Sequence, residues 1–83
     1  MLTFEFDGER EQLSIHGDVE GLRKLQHCVE QLIGHTPEGK FDHDHMMTVD
    51  WGGCELTAEP KDPKSQAIHH VKLYCWKGEE PTV

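Results

Sequence analysis

The sequence predicts an α+β fold in the order ββαβββ, a mostly antiparallel sheet with one helix packed across one face. Three observations carry this. Only Asp18 to Gly34, DVEGLRKLQHCVEQLIG, has convincing helical periodicity. The segments on either side alternate apolar and polar residues, as a sheet with one buried face does. The connections after the helix are short enough to join antiparallel neighbours. Within the helix, Leu22, Leu25, Cys28, Val29, Leu32 and Ile33 fall in an arc of roughly 140°, with Arg23, Lys24, His27, Glu30 and Gln31 opposite. A helix with one apolar stripe needs one apolar surface to lie on.

In chain order, Leu2, Phe4 and Phe6 alternate with Thr3, Glu5 and Asp7, which places the first three inward and the last three outward. Asp7-Gly8-Glu9-Arg10 supplies a hairpin turn, with Gly8 able to take a positive φ, and Leu13 and Ile15 resume the inward set from Gln12 to His16. Gly17 breaks the strand and Asp18 caps the helix. Gly21 costs about 1 kcal/mol of helix propensity relative to Ala, which points to close packing there. Gly34 reads as a left-handed helix cap, with Pro37 preventing re-entry. His43, His45, Met47 and Val49 form the inward face of the next strand, and Asp44, Met46, Thr48 and Asp50 its outward face. Trp51-Gly52-Gly53 is a turn. A short strand follows, with Cys54, Leu56 and Ala58 inward and Glu55, Thr57 and Glu59 outward. PKDPKS, residues 60–65, is a loop, since its prolines do not suit a central strand. The last strand has Ala67, His69, Val71, Leu73 and Cys75 inward and Ile68, His70, Lys72, Tyr74 and Trp76 outward. Met46, Ile68, Tyr74 and Trp76 would then form an apolar cluster on the far side of the sheet, a natural docking surface.

A chain of 83 residues makes one domain, here residues 1–76, followed by a flexible acidic tail at 77–83. With 16 acidic and 8 basic residues the net charge is −8, which disfavours nucleic acid and anionic membranes, favours a basic protein partner and aids solubility. The lysines of the C-terminal third, Lys61, Lys64, Lys72 and Lys77, are interleaved with acids and build no basic stripe. The three cysteines, Cys28, Cys54 and Cys75, are in register with apolar neighbours and read as small buried hydrophobes in a reducing compartment. No apolar run approaches a membrane span and MLTFEFDGER lacks the features of a signal peptide, so the expected location is the cytoplasm.

Seven histidines raise the question of a metal. His43 and His45, alternate residues of a strand, project from one face roughly 6.5 to 7 Å apart, and a third ligand could come from His69, whose strand phase is also inward, or from His35, Cys54 or Cys75. Two ligands hold zinc weakly and no further ligand stands at motif spacing, so the expectation is no metal and no cofactor, with the imidazoles hydrogen-bonded structurally. Catalysis is not expected either. The cysteines read as buried, Ser14 and Ser65 lack a nucleophile-elbow context, and His69-His70 splits its rings between two faces.

HGDVEGLRKL, a strand end and capped helix start, and GKFDHDHMMTVD, a glycine and His-x-His leading a strand, together resemble a family of small immunity proteins from bacterial polymorphic-toxin systems, the family numbered thirty-two. The resemblance covers roughly Leu13 to Leu56, mapping the family's helix-start pair onto Gly21 and Leu22 and its His-x-His onto His43 and His45. Met46-Met47 stands where a leucine-aspartate step is expected. The resemblance implies a cytoplasmic binding protein, without catalytic residues, that neutralises a cognate toxin. Trp51, Tyr74 and Trp76 are then the candidate anchors, and Glu55, Glu59, Glu79 and Glu80 the steering charges. The competing readings are a structural or regulatory interaction domain, homodimeric through an exposed strand edge, and a zinc protein using His43 and His45.

Overall fold

A computed structural model describes residues 1–78. Its elements are β1 (Leu2–Asp7), β2 (Gln12–Gly17), α1 (Val19–His35), β3 (Phe41–Met47), a short 3₁₀ turn (Val49–Trp51), β4 (Gln66–Ala67) and β5 (His70–Trp76), an α+β fold in the expected ββαβββ order. All strand pairs are antiparallel, but they form two sheets rather than one, β2-β1-β4 and β3-β5.

The break lies between β4 and β5. The Ile68 N–H donates to the Phe4 carbonyl at 2.8 Å, and the His69 carbonyl accepts from the Thr48 N–H at 3.0 Å, so the chain leaves β1 and joins β3 within two residues. It cannot follow β1 further, because the Leu2 carbonyl is taken by the Thr57 N–H at 2.8 Å. The expected final strand is thereby divided in two. The strand expected at Cys54–Glu59 is instead a bent segment with one parallel bridge, Leu56 to Thr48. The Glu55 carboxylate accepts the N–H groups of Met47, at 3.2 Å, and Cys54, at 2.9 Å, which a ladder would otherwise use. Cys54 is consequently exposed, while Cys28 and Cys75 are half-buried and all three are free thiols.

The core is Leu2, Phe4, Met46 and Leu56, with Leu25, Cys28, Ile68, Val71 and Leu73 packed around it. Met46 and Ile68, expected on the far side, are thus inside, and the phase of β3 is the reverse of the expected one. Adjacent methionines at 46 and 47 let either phase look apolar; the pairing decides. Met46 faces Val71 and Asp44 faces Leu73 across the ladder, and cross-strand partners share a face. Burying the Met46 side chain contributes about 1.5–3 kcal/mol, whereas an imidazole placed there would need buried hydrogen-bond partners. His43 and His45 therefore point outward.

Asp18 caps α1 as expected, its Oδ1 accepting from the Gly21 N–H at 2.8 Å. A Cβ on Gly21 would lie 1.8 Å from the Met1 carbonyl oxygen, so only glycine fits against the chain entering β1. The helix does not end at Gly34. It continues to His35, where Thr36 closes it by donating its N–H to Leu32 O at 3.1 Å and its hydroxyl to the same carbonyl. At the hairpin the positive φ falls on Glu11 (51°) rather than Gly8, and Asp7 Oδ1 accepts from the Glu9 and Arg10 N–H groups. Only half of the helical stripe is covered: Gly21 and Leu32 are buried and Leu25 and Cys28 reach the core, while Leu22, Val29 and Ile33 stay exposed, as do Leu13 and Ile15 of β2. Lys77 extends the β3-β5 pairing, exchanging backbone bonds of 2.8 Å with Gly39 and Lys40, and Gly78 lies close against Gly39; residues 79–83 of the expected tail lie outside the described residues. Among the described residues no helix is long and apolar enough to cross a membrane.

Along β1, Leu2, Thr3, Phe4 and Glu5 are all buried, so this strand is covered on both faces. Glu5, expected outward, is fully buried and accepts the Lys61 N–H at 2.9 Å, the Asp62 N–H at 3.0 Å and the Thr3 hydroxyl, with His16 Nε2 3.8 Å away. Burial pushes its carboxyl pKa up, but the Lys61 N–H, the Thr3 hydroxyl, the Asp62 N–H and His16 outweigh that and bring it below the ordinary carboxylate value.

Glu5→Ala leaves two backbone donors unanswered and is expected to cost about 3 kcal/mol or more in denaturant unfolding. Because folding lowers the Glu5 pKa, its contribution is present above the ordinary carboxylate range and lost as pH falls through the folded value. Glu5→Gln should therefore have a flatter acid limb of Tm against pH than the parent; parallel limbs would contradict the assignment.

Candidate functional site

The reversed phase of β3 builds the most distinctive surface. Register places Phe41 opposite Trp76, His43 opposite Tyr74, His45 opposite Lys72 and Met47 opposite His70, all on the side away from the core. Their rings form a continuous array. Phe41 stacks on Trp76 with centroids 4.4 Å apart and lies 6.5 Å from Tyr74. Tyr74 stacks on His43 at 5.3 Å, His43 meets His45 edge-on at 4.8 Å, and His45 stacks on His70 at 4.8 Å. The 3₁₀ turn then brings Trp51 within 6.1 Å of His69 and 6.2 Å of His70, and Lys72 Nζ lies 5.3 Å over the Tyr74 ring.

The array is open to solvent: Trp51 is 59% exposed, Phe41 52%, Tyr74 48% and Trp76 43%. It also carries no carboxylate among the eight outward residues of the ladder, on a chain of net charge −8. The two acids of β3 fall on the other phase, where Asp44 Oδ2 is 3.5 Å from His35 Nε2 and Asp42 Oδ1 accepts from the His43 N–H at 2.8 Å. Rigid rings with few charges among them, Lys72 being the one ladder cation, give large contact area at low entropic cost, the composition of a protein-binding centre.

His45 Nδ1 and His70 Nε2 are 2.6 Å apart, one ring nitrogen donating to the other, which requires at least one neutral ring. Desolvation under the neighbouring rings, then the charges of His43, His70 and Lys72, lower the His45 pKa below the ordinary histidine value against the pull of Asp44. His69 turns away from the pair to Thr48, its Nδ1 2.8 Å from Oγ1, and His70 takes the place considered for it. Among the described residues no group of three or more His, Cys, Asp or Glu side chains is placed to hold a metal ion.

The structure therefore brings Trp51, Tyr74, Trp76, His43 and His45 together. Glu55 sits apart, its carboxylate engaged by backbone donors that keep its pKa below the ordinary value, Cys54 N–H foremost. Glu59 is exposed in the loop after Leu56, and Gly21 and Leu22 lie at the helix start, Gly21 under the Met1 carbonyl and Leu22 against Gly17. Phe41 and His70 were not singled out from sequence; the signal for Phe41 was its cross-strand position opposite Trp76, which needs the register to be known.

A family model described as Immunity protein 32 matches residues 12–80, extending the sequence-level resemblance at Leu13–Leu56 toward the end of the chain. No curated protein and no solved structure matches the chain.

His45 makes stability depend on pH. A His45 pKa lowered by folding means that the unfolded chain takes up its proton first, so stability is complete above the ordinary histidine value and is lost as pH falls through the lower folded value. His45→Gln should reduce that slope in Tm against pH. An unchanged slope would show that His45 carries no differential protonation.

Proposed function

The chain belongs to the immunity protein 32 family, and we propose that it binds a cognate bacterial toxin in the cytoplasm and neutralises it by direct contact, with no reaction of its own. The observation that carries this reading is the solvent-exposed ring array of β3 and β5. Trp51, Phe41, Tyr74 and Trp76 act as anchors, because aromatic side chains that are already stacked lose little freedom on docking and bury large area. The carboxylates behind the net charge of −8 lie outside the outward ladder, whose one lysine is Lys72, which suits a basic toxin: long-range attraction raises the association rate, while the contact itself desolvates no carboxylate of the ladder. Glu59 is a free steering charge in this scheme, and Glu79 and Glu80 lie outside the described residues. Glu55 is assigned instead to holding the Met47–Cys54 bend.

With the toxin encoded beside this gene, Trp76→Ala is expected to weaken the complex by about 2 kcal/mol, roughly 30-fold in Kd, without loss of the far-ultraviolet circular dichroism signal. Added salt should slow association more than it speeds dissociation. Absence of a complex on co-expression, together with no relief of toxin-induced growth arrest, would refute the proposal.

A further inference from the structure

We infer that β2 and the adjoining half of α1 form an interface with a second copy of this chain. β2 is the outer strand of its sheet. It pairs with β1 through six consecutive positions without a bulge, and from Gln12 to Gly17 it holds no lysine, carboxylate or proline, so the usual protections of a sheet edge are missing. Its apolar side chains are not covered either. Ile15 is the partner of Phe4 and Leu13 of Phe6, which puts both on the helix side of the sheet, yet Leu13 is 56% exposed, Ile15 47% and Phe6 41%. The uncovered half of the helical stripe starts at the same strand: Leu22, 47% exposed, packs on Gly17 at the end of β2, and Val29 and Ile33, also exposed, share the face of Leu22 along the helix.

The occupant follows from charge and self-complementarity. Two molecules of charge −8 repel unless they meet where local charge is absent, and β2 is such a strand. Antiparallel pairing centred on Ser14 sets Leu13 opposite the second copy's Ile15 twice over, as a twofold axis requires. It also places both helices on one side of a joined sheet, with Leu22 of each beside the end of β2. Six large residues about half exposed amount to several hundred Å² per copy, more than scattered surface residues present and of the order of a standard interface half of ~800 Å².

This stands apart from the toxin reading and needs no toxin to test. Sedimentation equilibrium of the full chain over micromolar to millimolar concentrations should give a monomer–dimer equilibrium, weakened at least tenfold by Ile15→Glu. Deuterium exchange of the wild-type chain should slow with concentration at the free-edge amides of β2; this second reading decides the matter should the variant fail to fold. A monomer throughout, a dimer that Ile15→Glu leaves unweakened, or protection confined to β3 and β5 would each overturn the proposal.

Discussion

A carboxylate removed from water must be answered by donors, and in this fold the answer given to Glu5 organises what surrounds it. The N–H groups of Lys61 and Asp62 converge on it from a segment more than fifty residues away, and Thr3 closes the set from the same face of β1. These bonds pin the loop after Leu56 across the outer side of β1. The pinned loop then delivers Gln66 to the strand's free edge, where β4 forms. One buried charge thus links the N-terminal hairpin to the C-terminal third of the chain. Replacing it with an apolar residue would remove the desolvation cost but leave the loop's donors without acceptors.

The same arrangement explains why the outer side of β1 is covered while that of β3 and β5 is open. Thr57 occupies the Leu2 carbonyl, so the last strand cannot continue along β1 and instead turns to β3. Past that turn the loop gives no cover, and the outward residues of β3 and β5 remain in solvent. Their rings stack on each other because the register sets aromatic against aromatic at positions 41 and 76 and imidazole against phenol at 43 and 74. The open side is therefore a consequence of how the closed side is fastened.

Much of this was legible from residues alone. Helical period, the Asp18 cap and the two-residue alternation of the first hairpin yield the element order, and large exposed aromatics nominate Trp51, Tyr74 and Trp76. The failures have separate physical causes. Period-two reasoning put Glu5 in solvent because it treats one strand face as wet, and β1 from Leu2 to Glu5 has none. The Met46-Met47 pair hid the phase of β3, which only its partner strand could set, and with it the outward turn of His43 and His45. The segment after Gly53 alternates like a strand but is bent by the Glu55 carboxylate capturing backbone donors, an interaction that no pattern of apolar residues reports. Helix amphipathicity overstated coverage, since the stripe is wider than the surface beneath it.

The family assignment and the proposed function meet on the question of which surface would hold a toxin. The His-x-His of the resemblance lies within the ring array, whereas Gly21 and Leu22 serve the folding of the helix start. The most direct test is cross-saturation transfer from an unlabelled cognate toxin to the isotopically labelled chain. The account predicts the strongest transfer at Phe41, His43, Tyr74 and Trp76. Transfer concentrated on α1 or on the Asp7–Arg10 hairpin, with those rings unaffected, would contradict it.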